Sequence, residues 1–326
     1  MQQPEPRQAY SRRRLDELAA GLDDLKEMLD SAKLCIYATG SYGRLEAWPG
    51  SDIDLFFIYE DTEAVSYLTF LRLAGRLIET TAEMRFPPFS GDGKYLESLD
   101  VNAMERVLGS RDDDSTNAFT ARMLLLLESQ PISDESRYRR LIERVTAFYF
   151  RDHTGHEDDF VPTFLTNDIL RFWRTLTLNY EHDRFTATQG LEGQAAEDAR
   201  AKSLLKNYKL KFSRLATCFS MVAHLACEPP PVEHERVVEL CLMTPMERFE
   251  TLAGRNGTAD HLLGQLGVAY ESFLATVQQE EAVLMAAFRD REARQQHLSE
   301  AVEFGSKIFQ ILEQLVPEDR MRRLVV

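Results

Sequence analysis

Two neighbouring stretches constrain this chain more than any other feature: Ala38-Thr39-Gly40-Ser41-Tyr42-Gly43-Arg44 and Ser51-Asp52-Ile53-Asp54-Leu55-Phe56-Phe57-Ile58-Tyr59. The first is a small-residue turn that can bring backbone N–H groups to a phosphate. The second opens an apolar run on a pair of aspartates. Side chains alternate along a strand, so Asp52 and Asp54 share one face. Carboxylates held that close repel each other unless a cation sits between them. A phosphate-binding turn beside a cation-binding pair points to phosphoryl or nucleotidyl transfer.

The surrounding pattern supplies a scaffold for these two stretches. Leu15, Leu18, Leu22, Leu25 and Leu29 recur at helical spacing, which predicts a helix over Ser11 to Leu29. Lys33 to Thr39 reads as a strand and Gly40-Ser41 as its turn. Tyr42 to Trp48 reads as a short helix that Pro49-Gly50 stops. Asp52 to Tyr59 is the second strand. Thr62 to Thr80 is a helix with Val65, Leu68, Leu71, Leu73 and Leu77 turned inward. Ala82 to Phe86, halted by Pro87-Pro88, reads as a third strand. After the loop Ser90-Gly91-Asp92-Gly93, Tyr95 to Leu99 is extended again.

These elements make a small mixed sheet with helices on one side. From Ser115 onward the chain reads as helical, with helices expected over Asn117–Glu128, Ser136–Phe150, Pro162–Tyr180, Ala201–Leu225 and on through Glu281–Leu315. The expected fold class is α+β: a helix over 1–31 packed on a sheet-bearing domain of 32–114, followed by a helical domain of 115–326.

At 326 residues, with 44% hydrophobic and 28% charged residues, the chain has the composition of a soluble globular protein. No apolar run approaches the roughly 20 residues a bilayer requires. Met1 to Arg14 has no signal-peptide core. Cys35, Cys218, Cys227 and Cys241 lack metal-ligand spacing and read as reduced thiols, so a cytoplasmic protein is expected. The net charge of −15 argues against non-specific nucleic-acid binding as the main task.

Gly40-Ser41 followed by Asp52-x-Asp54 resembles the polymerase-β-like nucleotidyltransferase superfamily, whose signature is a Gly-Ser turn shortly before an Asp-x-Asp strand. Gly43-Arg44-x-Glu46 and Ser51-Asp52-Ile53-Asp54-Leu55 look most like the bacterial PII uridylyltransferase and glutamine synthetase adenylyltransferase. Glu83-Met84-Arg85-Phe86-Pro87-Pro88 is similar to the strand that carries the family's third acid. Glu83 stands there in place of Asp, and Pro87 in place of a second arginine. Asp92 is the rival third acid.

The resemblance implies a small sheet domain in which Asp52, Asp54 and Glu83 ligate two Mg²⁺ ions, with Mn²⁺ as a substitute. A nucleoside triphosphate would lie on Gly40, Ser41, Arg44 and Ser51. Arg44 has an alternative as the partner of Glu46 or Asp52. Arg122 either binds the triphosphate or locks the domains. Lys206 and Lys209, on one helix face, either line the cleft or are solvated. The expected acceptor is a hydroxyl on a protein. The alternatives are an RNA 3′ end, a small molecule or a nucleotide, and a module that binds nucleotide without turning it over.

Overall fold

The computed structural model describes residues 5–324 except 32, 61–65, 90–92, 94–95 and 133. The chain divides into two compact units, one of residues 1–156 with 233–244 and the other of residues 157–232 with 245–326. Its class is α+β, with a small mixed sheet near the N-terminus and helices thereafter.

In the first unit the order is α1 (Arg7–Ala20), α2 (Lys26–Ser31), β1 (Leu34–Thr39), α3 (Gly40–Gly43), β2 (Asp54–Tyr59) and α4 (Tyr67–Glu83). Then come β3 (Ser98–Asp100), α5 (Val101–Val107), α6 (Asp112–Ser115), α7 (Ala118–Leu127), β4 (Gln130–Pro131) and α8 (Glu135–Ala147). The sheet order is β3-β2-β1-β4. Strands β1 and β2 are antiparallel with Thr39 opposite Asp54, and β3 runs parallel to β2 with Ser98 beside Phe57.

One sheet face is continuous with a core of Leu15 and Leu18 from α1, Leu73 and Leu77 from α4, and Leu34, Ile36, Leu55 and Phe57 from the strands. On the other face Tyr37 stacks on Phe56 at 5.6 Å and donates a hydrogen bond to the Ala121 carbonyl of α7. Helices therefore cover both faces rather than one. That packing carries the first unit past residue 114, because the apolar α7, with Phe119 and Ala121 to Leu127 buried, belongs with the sheet.

Three further expectations are corrected. The helix expected over Tyr42 to Trp48 is a single turn, because Leu45 adopts φ +58 directly after Gly43 and Arg44. The strand expected over Ala82 to Phe86 does not form, since α4 continues to Glu83. Its β-branched Thr81 is accommodated because the hydroxyl donates back to the Leu77 and Ile78 carbonyls, both at 3.0 Å. Leu68 and Leu71 of α4 face solvent, while Leu73, Ala74, Leu77, Thr80 and Thr81 face the core.

The second unit holds α9 (Thr163–Ala187) and α10 (Gly193–Lys209), a π-helical turn over Leu210–Arg214, and α11 (Leu215–Cys227). Helix α12 (His234–Leu242) belongs to the first unit, where His234 Nε2 lies 2.8 Å from Thr146 Oγ1 of α8. The second unit resumes with α13 (Pro245–Glu250), α14 (Gly257–Val277), α15 (Glu281–Arg289), α16 (Arg291–Leu315) and α17 (Glu318–Arg323). The helix expected over Glu281 to Leu315 breaks at Asp290, whose carboxylate caps α16 by accepting from the Ala293 N–H. Phe212, Phe273 and Phe304 centre this unit's core, with ring centroids 4.6 and 4.5 Å from Phe212. Among the described residues no helix is long and apolar enough to cross a membrane.

Candidate functional site

Strand β1 ends at buried Thr39, and the chain turns sharply through Gly40 at φ +67. That backbone region favours glycine, because a Cβ would crowd the following carbonyl. A Cβ built on Gly40 would also lie 3.4 Å from Asp54 Oδ2. The missing side chain therefore leaves the turn open against the carboxylate. Alternation begins before β2: Ser51, Ile53 and Leu55 are buried, while Asp52 is exposed and Asp54 half-buried. Both carboxylates thus face away from the α1–α4 core, next to the turn.

Helix α3 is one turn long, so it contributes backbone N–H groups with little macrodipole behind them. A Cβ on Gly43 would fall 2.1 Å from the Glu128 carbonyl oxygen, so the chain leading into β4 runs hard against α3. Below the turn, Ser51 Oγ accepts from the Trp48 N–H at 3.1 Å, which gives that hydroxyl a place in the loop. Ser11 Oγ of α1 accepts from the Ala47 N–H at 3.0 Å.

Arg44 takes the second of its two expected roles and extends it. Its guanidinium is buried and donates to Glu46 Oε2 and to Glu128 Oε2, both at 2.8 Å. Glu128 arrives from the end of α7, so this cluster fastens the turn to the helix and β4 behind it. The sequence offered Glu46 as a partner, whereas Glu128 lies too far along the chain to be anticipated.

Arg122 is likewise enclosed. It donates to both oxygens of Asp113 at 2.8 Å and to the Tyr149 hydroxyl at 2.7 Å, with both charged side chains fully buried. Burial works against its charge, but the hydrogen bonds and opposite charge of Asp113 outweigh it and raise the guanidinium pKa. The lock that Arg122 makes lies within the first unit. Lys206, in the second unit, is exposed and reaches Asp183 of α9 at 3.4 Å. Lys209 is exposed at the C-terminal end of α10.

The structure does not bring Glu83 to the aspartate pair. It ends α4 with its side chain 70% exposed, 3.9 Å from Arg76, which in turn binds Asp24. The neighbouring Phe86 fills the core against Tyr42 and under Arg14, so the apolar character of this segment serves packing. Asp92 lies outside the described residues. Among the described residues no three His, Cys, Asp or Glu side chains assemble as a metal-ligand group.

An acid that the sequence reading passed over is Glu97. With Ser98 beside Phe57, extending the parallel register back one residue sets Glu97 beside Phe56. Glu97 itself precedes β3 and is exposed; that continued register would set it on the Asp54 side. The signal that could have found it was the extended run Tyr95 to Leu99, which carries an acid at its centre.

A glycine-serine turn against a strand that opens on paired aspartates is a nucleotidyltransferase-superfamily arrangement. Residues 7–93, which span α1 through α4 and the turn, match the family described as "Putative nucleotidyltransferase DUF294". No curated protein matches the chain.

Proposed function

We propose that this protein transfers a nucleoside monophosphate from a nucleoside triphosphate to a hydroxyl on an acceptor protein, releasing pyrophosphate. The observation that carries the reading is the meeting of Gly40 with Asp54, where a missing Cβ leaves space between a phosphate-binding turn and a carboxylate. In the reading, the backbone N–H groups of Gly40 and Ser41 take the β- and γ-phosphates, and Asp52 and Asp54 hold Mg²⁺. The donor set fits that ion, since Mg²⁺ is commonly bound by one or two carboxylates with substrate phosphates completing the shell. Bound there, the metal supplies Lewis-acid polarisation of the α-phosphoryl group and a lowered acceptor pKa.

Asp52, Asp54 and Glu97 are not assembled as a metal-ligand group, but the β3 register continued back one residue puts Glu97 on the aspartates' side, so in this reading the third-carboxylate role moves from Glu83 to Glu97. A protein acceptor is favoured over RNA by the net charge of −15, which repels a polyanion. Arg44, Ser51 and Arg122 act in this reading by holding the turn and its supports. The PII uridylyltransferase and glutamine synthetase adenylyltransferase resemblance is the ground for a protein hydroxyl as acceptor.

The test is incubation with labelled ATP, GTP, CTP and UTP, Mg²⁺ and cell lysate, followed by detection of labelled protein. Wild type should label a band, and Asp54→Asn should abolish labelling without loss of the folded state by circular dichroism. A second reading, in which the chain binds nucleotide without turnover, is favoured by the lack of a three-acid group among the described residues. Mg²⁺-dependent nucleotide binding with no pyrophosphate release in the presence of lysate would select it.

A further inference from the structure

Helix α4 is apolar on two faces, and the sheet uses one of them. The outer face carries Leu68 (67% exposed), Leu71 (45%) and Ile78 (46%), with exposed Gly75 and Ala82 completing the row 68-71-75-78-82. Spacings that alternate three and four are the seam of a helix pair. Among the described residues a Cβ on Gly75 would meet nothing within 4 Å, so this glycine's lack of a side chain serves no contact with them. Arg72 and Glu79 flank the row, both exposed and two turns apart along one edge.

We propose that this face packs antiparallel against α4 of a second copy, across a two-fold axis between Arg76 and Leu77. That axis sets Leu71 over Ala82 of the second copy and Ile78 over its Gly75, so each layer places a large residue on a small one. It also brings Arg72 toward Glu79 of the second copy, and by symmetry Glu79 toward its Arg72. The other antiparallel register of the same row, centred on Leu73, would set Arg72 against Arg72. Charge therefore selects both the partner and the register: the edge is complementary to its own two-fold image. A lone helix pair buries less than about 1,200 Å² in total, so a reversible, micromolar dimer is expected.

Sedimentation velocity of the whole chain from about 1 to 200 μM spans that range. Wild type should shift from monomer to dimer, and Leu71→Glu with Ile78→Glu should weaken the dimer at least about 100-fold. Arg72→Glu alone and Glu79→Arg alone should each weaken it about tenfold, since each sets like charges opposite. Mixing those two single variants should restore a heterodimer, because each then supplies what the other lacks. All four positions are exposed, so the variants keep their fold, which circular dichroism checks. A wild type that stays monomeric throughout, or a mixture that fails to recover dimer, overturns the proposal.

Discussion

Replacing Arg44 by methionine asks whether that guanidinium belongs to the fold or to the nucleotide. The side chain is 8% exposed and bridges Glu46 and Glu128, at 9% and 0%. Methionine keeps much of the volume and removes the charge that both carboxylates face. Breaking a buried pair by removing one partner costs about 3–5 kcal/mol. At about 2–4 °C of Tm per kcal/mol for a domain of this size class, the first unit should melt roughly 6–20 °C earlier.

Thermal denaturation followed by circular dichroism measures the loss. Adding Glu46→Gln and Glu128→Met to Arg44→Met should recover most of the loss, since a packed neutral replacement of a buried ion cluster is close to neutral in stability. That triple variant should still bind a triphosphate. A single-variant loss under about 1 kcal/mol, the range of an exposed pair, would refute the reasoning. So would a restored fold that no longer binds nucleotide.

Gly43→Ala should unfold or strongly destabilise the first unit, by at least about 2 kcal/mol, because its Cβ would strike the Glu128 carbonyl at 2.1 Å. Gly40→Ala should lose about 1–2 kcal/mol from its φ of +67 while losing most transfer activity, as the methyl group enters the space beside Asp54. Denaturant melts beside a pyrophosphate-release assay separate these two glycines. Glu83→Gln should leave the transfer rate within about twofold, and Glu97→Gln should lower it by about 10²-fold or more; the reverse order would restore the assignment made from the sequence. Burial pushes the Cys218 thiol up to about 12, so it should resist a thiol reagent at about pH 8 until the protein is unfolded.

The sheet and its turn were legible because their signals are local. Strand β1 begins within a residue of its expectation, whereas β2 opens at Asp54 rather than Asp52, with Ile53 and Leu55 buried on either side of it and Asp52 exposed. What failed depended on partners far along the chain. Thr80 and Thr81 followed by Pro87 look like a strand ending, yet their side chains are buried within α4, where Thr81 bonds back to its own helix. Strand β4 is two residues long and pairs with β1 only because α7 delivers it there. The roles of Arg44 and Arg122 were open in the sequence for the same reason. Arginine suits a phosphate and a carboxylate equally well, and Glu128 and Asp113 are identified as neighbours only by the folded chain.

The length of α4 connects the displaced acid to the rest of the site. Because the helix runs to Glu83, the segment that follows turns through Arg85 at φ +59 and buries Phe86 against Tyr42. The sheet position beside β2 is then filled from further along, by β3. A parallel strand there points alternate residues to the same faces as β2, so Leu96 joins the α1–α4 core while Glu97 takes the aspartates' side. An exposed glutamate on that face is not required for folding, whereas apolar Leu96 is. If Glu97→Gln leaves stability untouched and lowers transfer with a changed Mg²⁺ dependence, the strand's acid belongs to the chemistry. If it changes neither, the pair Asp52 and Asp54 works with substrate oxygens alone.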